Sequence, residues 1–369
     1  MQEKTMSWHF ARPALAEKYL DLFKLGLTAA RGLFARRRMG KTEFLKKDFI
    51  PAAEARRYIT VYVNLWELEV DPAVAIVSEL YQAIAPKGFS KIWAKLKLPI
   101  KKIKVSGKIL GLGQASIETG LEDNQRATST LLMEAMRAFD KVPFKLMLII
   151  DEAQVLAYDQ HSHFAHALRA ALDVRKERIK VIFAGSSETT LRRMFGVSSE
   201  PFYNWAPLEP FELLGQQFVE AMVERVNHIS TYPLLLADAL VAFDGLKRTP
   251  EFFRRYIEYY LSNPFEGSTS ALSATKDKVF NDESFKRQWD ILLPVDKVIL
   301  AIIAEGNTDC YAQATMEKLG VKLGLAHAIN KSAINNALVR LTKKNIVTKM
   351  EYGLYQLEDE AFADWVKCQ

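Results

Sequence analysis

The 369-residue sequence is 49% apolar and 25% charged, the balance of a folded chain with room for two or three structural units. It has no run of roughly 18 apolar residues and no signal organisation in Met1 to Trp8, so neither a membrane-spanning helix nor a secretory leader is expected. Only Cys310 and Cys368 are present, so a disulfide framework and a cysteine metal set are excluded, a reducing cytoplasmic setting is expected, and the net charge of +6 favours anionic partners.

In chain order, residues 1–12 read as an irregular arm. Pro13 to about Leu25 reads as a helix, with proline near its first turn and an apolar stripe of Leu15, Tyr19, Leu22 and Phe23. Residues 30–35 are a buried strand. The stretch Ala35-Arg36-Arg37-Arg38-Met39-Gly40-Lys41-Thr42 leads from it into a helix at 41–49, with Glu43 in the first turn. A strand, loop and helix in this order turn backbone N–H groups and a helix N-terminus into one concavity that attracts phosphate. Lys41 is placed to reach the outer phosphates and the Thr42 hydroxyl to bind Mg²⁺. Ala35 stands where such loops usually open with glycine, a residue favoured by tight turns and close chain approach. A basic helix start is the plain alternative.

Residues 57–64 have the β-branched and aromatic content of a second strand, and Pro72 opens a helix to about residue 85. Alternating strands and helices indicate a covered parallel sheet. The stretch 86–120 interrupts it. Eight lysines lie between Lys87 and Lys108, with no Asp or Glu from Leu80 to Ile117. Phe89, Ile92, Trp93 and Leu96 form the apolar side of a short basic helix, and glycines follow. This insertion suits nucleic-acid phosphate, a protein partner or packing on the core; a peripheral membrane contact needs a longer apolar face than it offers.

A helix at 124–140 leads to the apolar run 144–150, a strand covered on both faces. Asp151 and Glu152 leave its C-terminal end, where ligands bind in open α/β sheets. Asp151 suits Mg²⁺, and Glu152 suits orienting and deprotonating an attacking water. A helix at 161–175 carries His161, His163 and His166, which read as exposed or locally hydrogen-bonded. The strand 180–185 ends at Ser186-Ser187. Ser186 reads equally as a reporter of the terminal phosphate and as a helix cap. Arg192 and Arg193 follow on a short helix; either suits delivery across a subunit interface to a transferring phosphoryl group, or solvent exposure.

From Asn204 the pattern is helical, without further convincing core strands: 211–227, 231–244 and 249–262, then a Ser/Thr/Asn-rich linker or irregular loop at 263–284. Helices at 293–304, 309–319 and 331–344 and strands at 346–349 and 354–357 describe a winged helix-turn-helix. No Asp or Glu occurs from Lys318 through Met350. Lys331, Asn335, Asn336, Arg340, Lys343, Lys344 and Lys349 are the candidate nucleic-acid contacts, opposed by the reading of the unit as a protein-packing module. The division is then 1–25 for arm and helix, 26–205 for the nucleotide core with its insertion, 206–284 for lid and linker, and 285–369 for the winged unit.

Taken together, Ala35 to Thr42, Leu148-Ile149-Ile150-Asp151-Glu152-Ala153-Gln154 and Phe183-Ala184-Gly185-Ser186-Ser187 resemble the AAA+ ATPases of the archaeal-ATPase-like branch, related to the STAND NTPases. The resemblance implies an α/β P-loop core binding ATP and Mg²⁺, a helical lid and often a C-terminal winged helix. Lys41 and Thr42 resemble the phosphate and metal residues, Asp151 and Glu152 the metal and water-activating carboxylates, and Ser186 the nucleotide sensor. Asn204-Trp205 stands where related chains often have Gly-Arg. The leading expectation is a Mg²⁺-dependent ATPase acting as a switch on DNA. The alternative is a nucleotide-responsive scaffold or signalling protein, with weak or no hydrolysis, that self-associates or docks a protein or membrane.

Overall fold

The computed structural model describes residues 7–66, 71–84, 129–280, 283–306, 309–344, 346–351, 354–357 and 359–369, so the basic insertion at 86–120 lies outside the described residues. Five strands, β1 (Ala30–Phe34), β2 (Tyr58–Asn64), β3 (Lys145–Asp151), β4 (Ile179–Gly185) and β5 (Leu208–Pro210), form one parallel sheet ordered β2-β3-β4-β1-β5. Parallel neighbours need crossovers, which cover both faces of the sheet with helices. The side chains of β3 show the result: Leu146, Leu148 and Ile150 join one buried cluster, while Met147 and Ile149 join the other. On the first face lie α4 (Pro72–Ile84), α5 (129–140), α6 (Ser162–Asp173) and α7 (Glu188–Gly196). On the second lie α1 (Pro13–Lys24) and the helical run after β1.

That run is longer than its sequence pattern suggests. It continues from α2 (Lys41–Phe44) through a π-helical turn (Leu45–Phe49) into α3 (Ile50–Ala55). Pro51 lacks an N–H, but sits at the start of α3, where the missing donor is tolerated. Strand β5 was hidden by Pro207 and Pro210 at its ends; it pairs with β1, and the Pro207 carbonyl accepts from Gly32 N–H.

Beyond the sheet come α8 (Gln216–Ile229), α9 (Leu236–Gly245), α10 (Pro250–Ser262) and α11 (Gly267–Phe280). The last corrects the irregular segment expected at 263–284. Its buried stripe is only Ala271, Thr275 and Val279, four residues apart, and this thin small-residue face gives little hydrophobic periodicity. After α12 (Glu283–Asp290), the helices α13 (Pro294–Ala304), α14 (Gln313–Lys322) and α15 (Lys331–Lys343) precede the antiparallel hairpin of β6 (Val347–Glu351) and β7 (Leu354–Leu357). This is the expected winged helix. A final helix, α16 (Glu360–Lys367), buries Phe362, Trp365 and Val366. One apolar cluster runs from Phe218 to Val366, so the helices after the sheet share a core with the winged unit. No helix among the described residues is long and apolar enough to cross a membrane.

Candidate functional site

The loop after β1 tolerates Ala35 for a visible reason. Its N–H donates to the Gly185 carbonyl (3.3 Å), extending the β1–β4 pairing, and its methyl is buried with Leu33, Met39 and Phe44. Positive φ angles fall later, at Arg38 (67°) and Gly40 (82°). Glycine suits the second at no steric cost. Arg38 is held in the left-handed region by the Phe252 ring, 5.2 Å away, and by ion pairs to Glu251 (3.6 Å) and Asp359 (3.9 Å). The next residue after Gly40, Lys41, opens α2 and is 5% exposed.

Strand β4 separates β1 from β3, a spacing of about 10 Å for two steps across a sheet. The first turn of α2 closes this gap. Thr42 Oγ1 donates to Asp151 Oδ2 at 2.6 Å, and the Tyr62 hydroxyl donates to the same oxygen at 2.9 Å. Asp151, wholly buried at the end of β3, also accepts from Glu152 N–H at Oδ1 (3.1 Å). Glu152 lies in the left-handed region at φ 55°. Its Oε2 accepts from Ser186 Oγ (2.8 Å), Ser186 N–H (3.3 Å) and Gln154 Nε2 (2.5 Å). Lys41, Thr42, Asp151, Glu152 and Ser186 therefore meet at one edge of the sheet. The helix cap after β4 belongs to the neighbouring serine: Ser187 Oγ accepts from Thr190 N–H.

A cavity of about 470 Å³ opens over this edge. The loop from Arg36 to Glu43 forms one wall; Lys46, Lys47, Glu152 and three residues of α10, Pro250, Glu251 and Arg254, complete it. Seven cationic side chains face three carboxylates there, a field that favours an anion. Arg37 stacks on Trp66 at 4.1 Å, and Lys46 lies 4.6 Å from the Tyr62 ring. Glu43 binds Lys47 (2.8 Å) and Arg254 (2.9 Å). Burial pushes its carboxyl up, but these two cations outweigh burial and hold it below the ordinary carboxylate value. Arg254 also donates to the Trp8 carbonyl (3.0 Å) and borders a second cavity of about 360 Å³ shared with Trp8, Ile257 and Glu258.

Several expected residues lie elsewhere. Arg193 turns inward to Glu200 (3.0 Å) and the Ala157 carbonyl, and Arg192 pairs with Glu188 (2.6 Å) on its own helix. Neither lines the cavity. At the Asn204-Trp205 position, Trp205 is a core residue: it stacks edge-on with Phe183 and donates to Asp173 (3.0 Å). On α15, Lys331, Asn335 and Asn336 are exposed, as is Lys344 just beyond it. Arg340, however, binds Asp296 through two nitrogens at 2.6 and 3.3 Å, and Asn335 accepts from the Tyr311 hydroxyl (3.3 Å). The side chains of Lys343 and Lys349 lie outside the described residues.

Three contributors had no signal of their own in the sequence. Arg254 sits on a helix whose aromatic stripe reads as core, Tyr62 reads as an ordinary strand residue, and Gln154 follows the acidic pair without a visible task.

A parallel sheet ordered β2-β3-β4-β1-β5, with a phosphate-type loop after β1 and acids ending β3, is the fold of the AAA+ P-loop ATPases, here with a C-terminal winged helix. No family model and no curated protein matches the sequence. Solved structures do match. The Walker-type ATPase PABY2304 of Pyrococcus abyssi is 18% identical, over 100% of this chain and 99% of that chain, with a TM-score of 0.56. The ORC2 protein of Aeropyrum pernix, in ADPNP-ADP complexes, is 15% identical over 96% and 91%, with a TM-score of 0.54. The ORC1 protein of Aeropyrum pernix, in complex with DNA, is 11% identical over 100% and 95%, with a TM-score of 0.52. At these identities the likeness is one of fold.

Proposed function

We propose that the chain binds ATP with Mg²⁺ between the loop at 35–43 and Arg254, hydrolyses it, and uses the nucleotide state as a switch on DNA. The observation that carries this reading is the 2.6 Å bond from Thr42 to Asp151 beside a buried lysine in a cationic cavity. By its motifs the chain stands beside the archaeal-ATPase-like, STAND-related branch.

The metal fits the residues present. A threonine hydroxyl and an aspartate carboxylate are hard oxygen donors, in the small number Mg²⁺ takes from a protein when phosphate and water complete its shell. Held by Thr42 and Asp151, the ion would neutralise phosphate charge. Lys41 and Arg254 would bind phosphate oxygens, and the backbone from Ala35 to Gly40 would cradle them. Glu152 would orient a water and take its proton, with Ser186 linking that carboxylate to the end of β4. Residues 206–284 would act as a lid on the core at 26–205, and the unit at 285–369 would respond to lid position. Exposed Lys331, Asn336 and Lys344 support contact of that unit with nucleic-acid phosphate.

A second reading has its own support. Arg340 and Asn335 are engaged inside the winged unit, which favours that unit as a packing module of a nucleotide-responsive scaffold. ATP turnover, alone and with duplex or single-stranded DNA, beside a Glu152→Gln control, separates the two. The switch requires Mg²⁺-dependent turnover that Glu152→Gln lowers sharply to a residual rate and that DNA alters. ATP binding without turnover, and no DNA binding through a salt titration, selects the scaffold. Failure to bind ATP overturns both.

A further inference from the structure

Glu152 is held more tightly than its role as a base alone requires. Gln154, 1% exposed in the short 3₁₀ turn Ala153–Ala157, reaches back with its amide nitrogen to Glu152 Oε2 at 2.5 Å and to Ser186 Oγ at 3.3 Å. Ser186 completes the triangle from its hydroxyl and its N–H. All three donors converge on one carboxylate oxygen. Among the described residues, the other oxygen, Oε1, accepts no hydrogen bond, and Glu152 lines the cavity.

The orientation of the amide follows from chemistry. A carboxylate accepts only, so the nitrogen of Gln154 must face it and the oxygen must face away. That leaves Gln154 Oε1 buried without a hydrogen-bond partner, an unfavourable arrangement for a polar atom. The fold also makes room for it. A Cβ on Gly185 would lie 2.2 Å from Gln154 Oε1, so glycine at the end of β4 is what lets the amide occupy this position. An unpartnered polar atom and a position kept clear by glycine both accompany this one contact to the proposed base.

The geometry points to Gln154 as the positioning residue of Glu152: with Ser186 it fixes one carboxylate oxygen and leaves the other to engage the attacking water. Gln154 acts through Glu152 and does not itself line the cavity. This rests on the ATPase reading above.

The test is a Gln154→Met variant, unbranched and of similar length, with Gln154→Glu as a second variant of the same shape that replaces the donor by an acceptor. Turnover and ATP affinity are measured for each, alone and combined with Glu152→Gln, after the folded fraction is fixed by nucleotide titration. Positioning of a general base predicts a fall in kcat of about tenfold or more, with KM for ATP within about twofold. In the Glu152→Gln background the same change should add no further loss, since its target is gone. Unchanged kcat in either folded variant overturns the assignment, as does an equal loss in both backgrounds. A wild-type protein that binds ATP and never turns it over removes the ATPase reading and this inference together; turnover indifferent to position 154 removes the inference alone.

Discussion

Restoring glycine at position 35 should weaken the protein and leave its nucleotide affinity alone. Ala35 is 6% exposed, its φ is not positive, and its methyl belongs to the cluster that also holds Phe44 and Met39. Ala35→Gly removes one buried methyl, worth about 0.8 kcal/mol. It also gives the unfolded chain more freedom, worth a further ~0.4–1 kcal/mol. The sum is about 1.5 kcal/mol, and with a urea slope of about 2 kcal/mol/M it lowers the midpoint of the core by roughly 0.7 M. ATP affinity, measured by calorimetric titration, should stay within about twofold, since φ at 35 lies outside the positive region that favours glycine. A tenfold gain in affinity, or an unmoved midpoint, would refute the claim that this loop has adapted to alanine.

Two further outcomes follow from single contacts. Arg340→Ala removes the partner of Asp296, a side chain only 2% exposed, and should destabilise the winged unit by about 1–3 kcal/mol, below the ~3–5 kcal/mol of a fully buried broken pair because the Arg340 side chain is itself 39% exposed. Thermal unfolding should register this loss, and Arg340→Ala combined with Asp296→Asn should recover most of it; a loss of DNA affinity at unchanged stability would instead make Arg340 a DNA contact. Glu43 is held below its unfolded value of 4.5, so the unfolded state binds more protons as acid is added, and its contribution is complete above that pH and is withdrawn as pH falls through the lowered folded value. Glu43→Gln should therefore flatten the acid limb of the stability curve below pH 4.5, and an unchanged limb would refute the pairing with Lys47 and Arg254.

The parts of this molecule legible in the sequence are those whose cause is local. The apolar run Phe144 to Ile150 reads as a strand covered on both faces, and the carboxylate pair at its end as leaving the edge of the sheet. Lys41 and Thr42 likewise announced a helix start on a phosphate-type loop. What stayed hidden depends on partners distant in the chain. Arg340 looked like a groove-reading cation until Asp296 was placed beneath it, and Trp205 looked like a missing arginine until Phe183 and Phe202 closed around it. Helix α11 hid for the opposite reason: a stripe of Ala271, Thr275 and Val279 buries too little surface to stand out from its polar neighbours.

The N-terminal arm connects helices α8 and α10 to the sheet unit. The Trp8 carbonyl accepts from Arg254 on α10, and the His9 carbonyl accepts from Arg225 on α8, both at 3.0 Å. The His9 ring lies between Glu43 (3.3 Å) and Asp48 (2.8 Å), two residues of the helical run that Lys41 opens. Phe10 meets Phe218 edge-on, and the Arg12 guanidinium lies over both Phe211 and Phe44. Four residues of the arm, Trp8, His9, Phe10 and Arg12, thus fasten α8 and α10 to the helical run that Lys41 opens, and Glu43 and Arg254 are common to this fastening and to the cavity. Arg254 Nη2 contacts both Glu43 and the Trp8 carbonyl, so an anion competing with Glu43 for it would act on the same nitrogen that holds the arm. A ligand shifts a conformational equilibrium only through differential affinity for its states, so coupling through Arg254 would require α10 to hold that arginine differently in each.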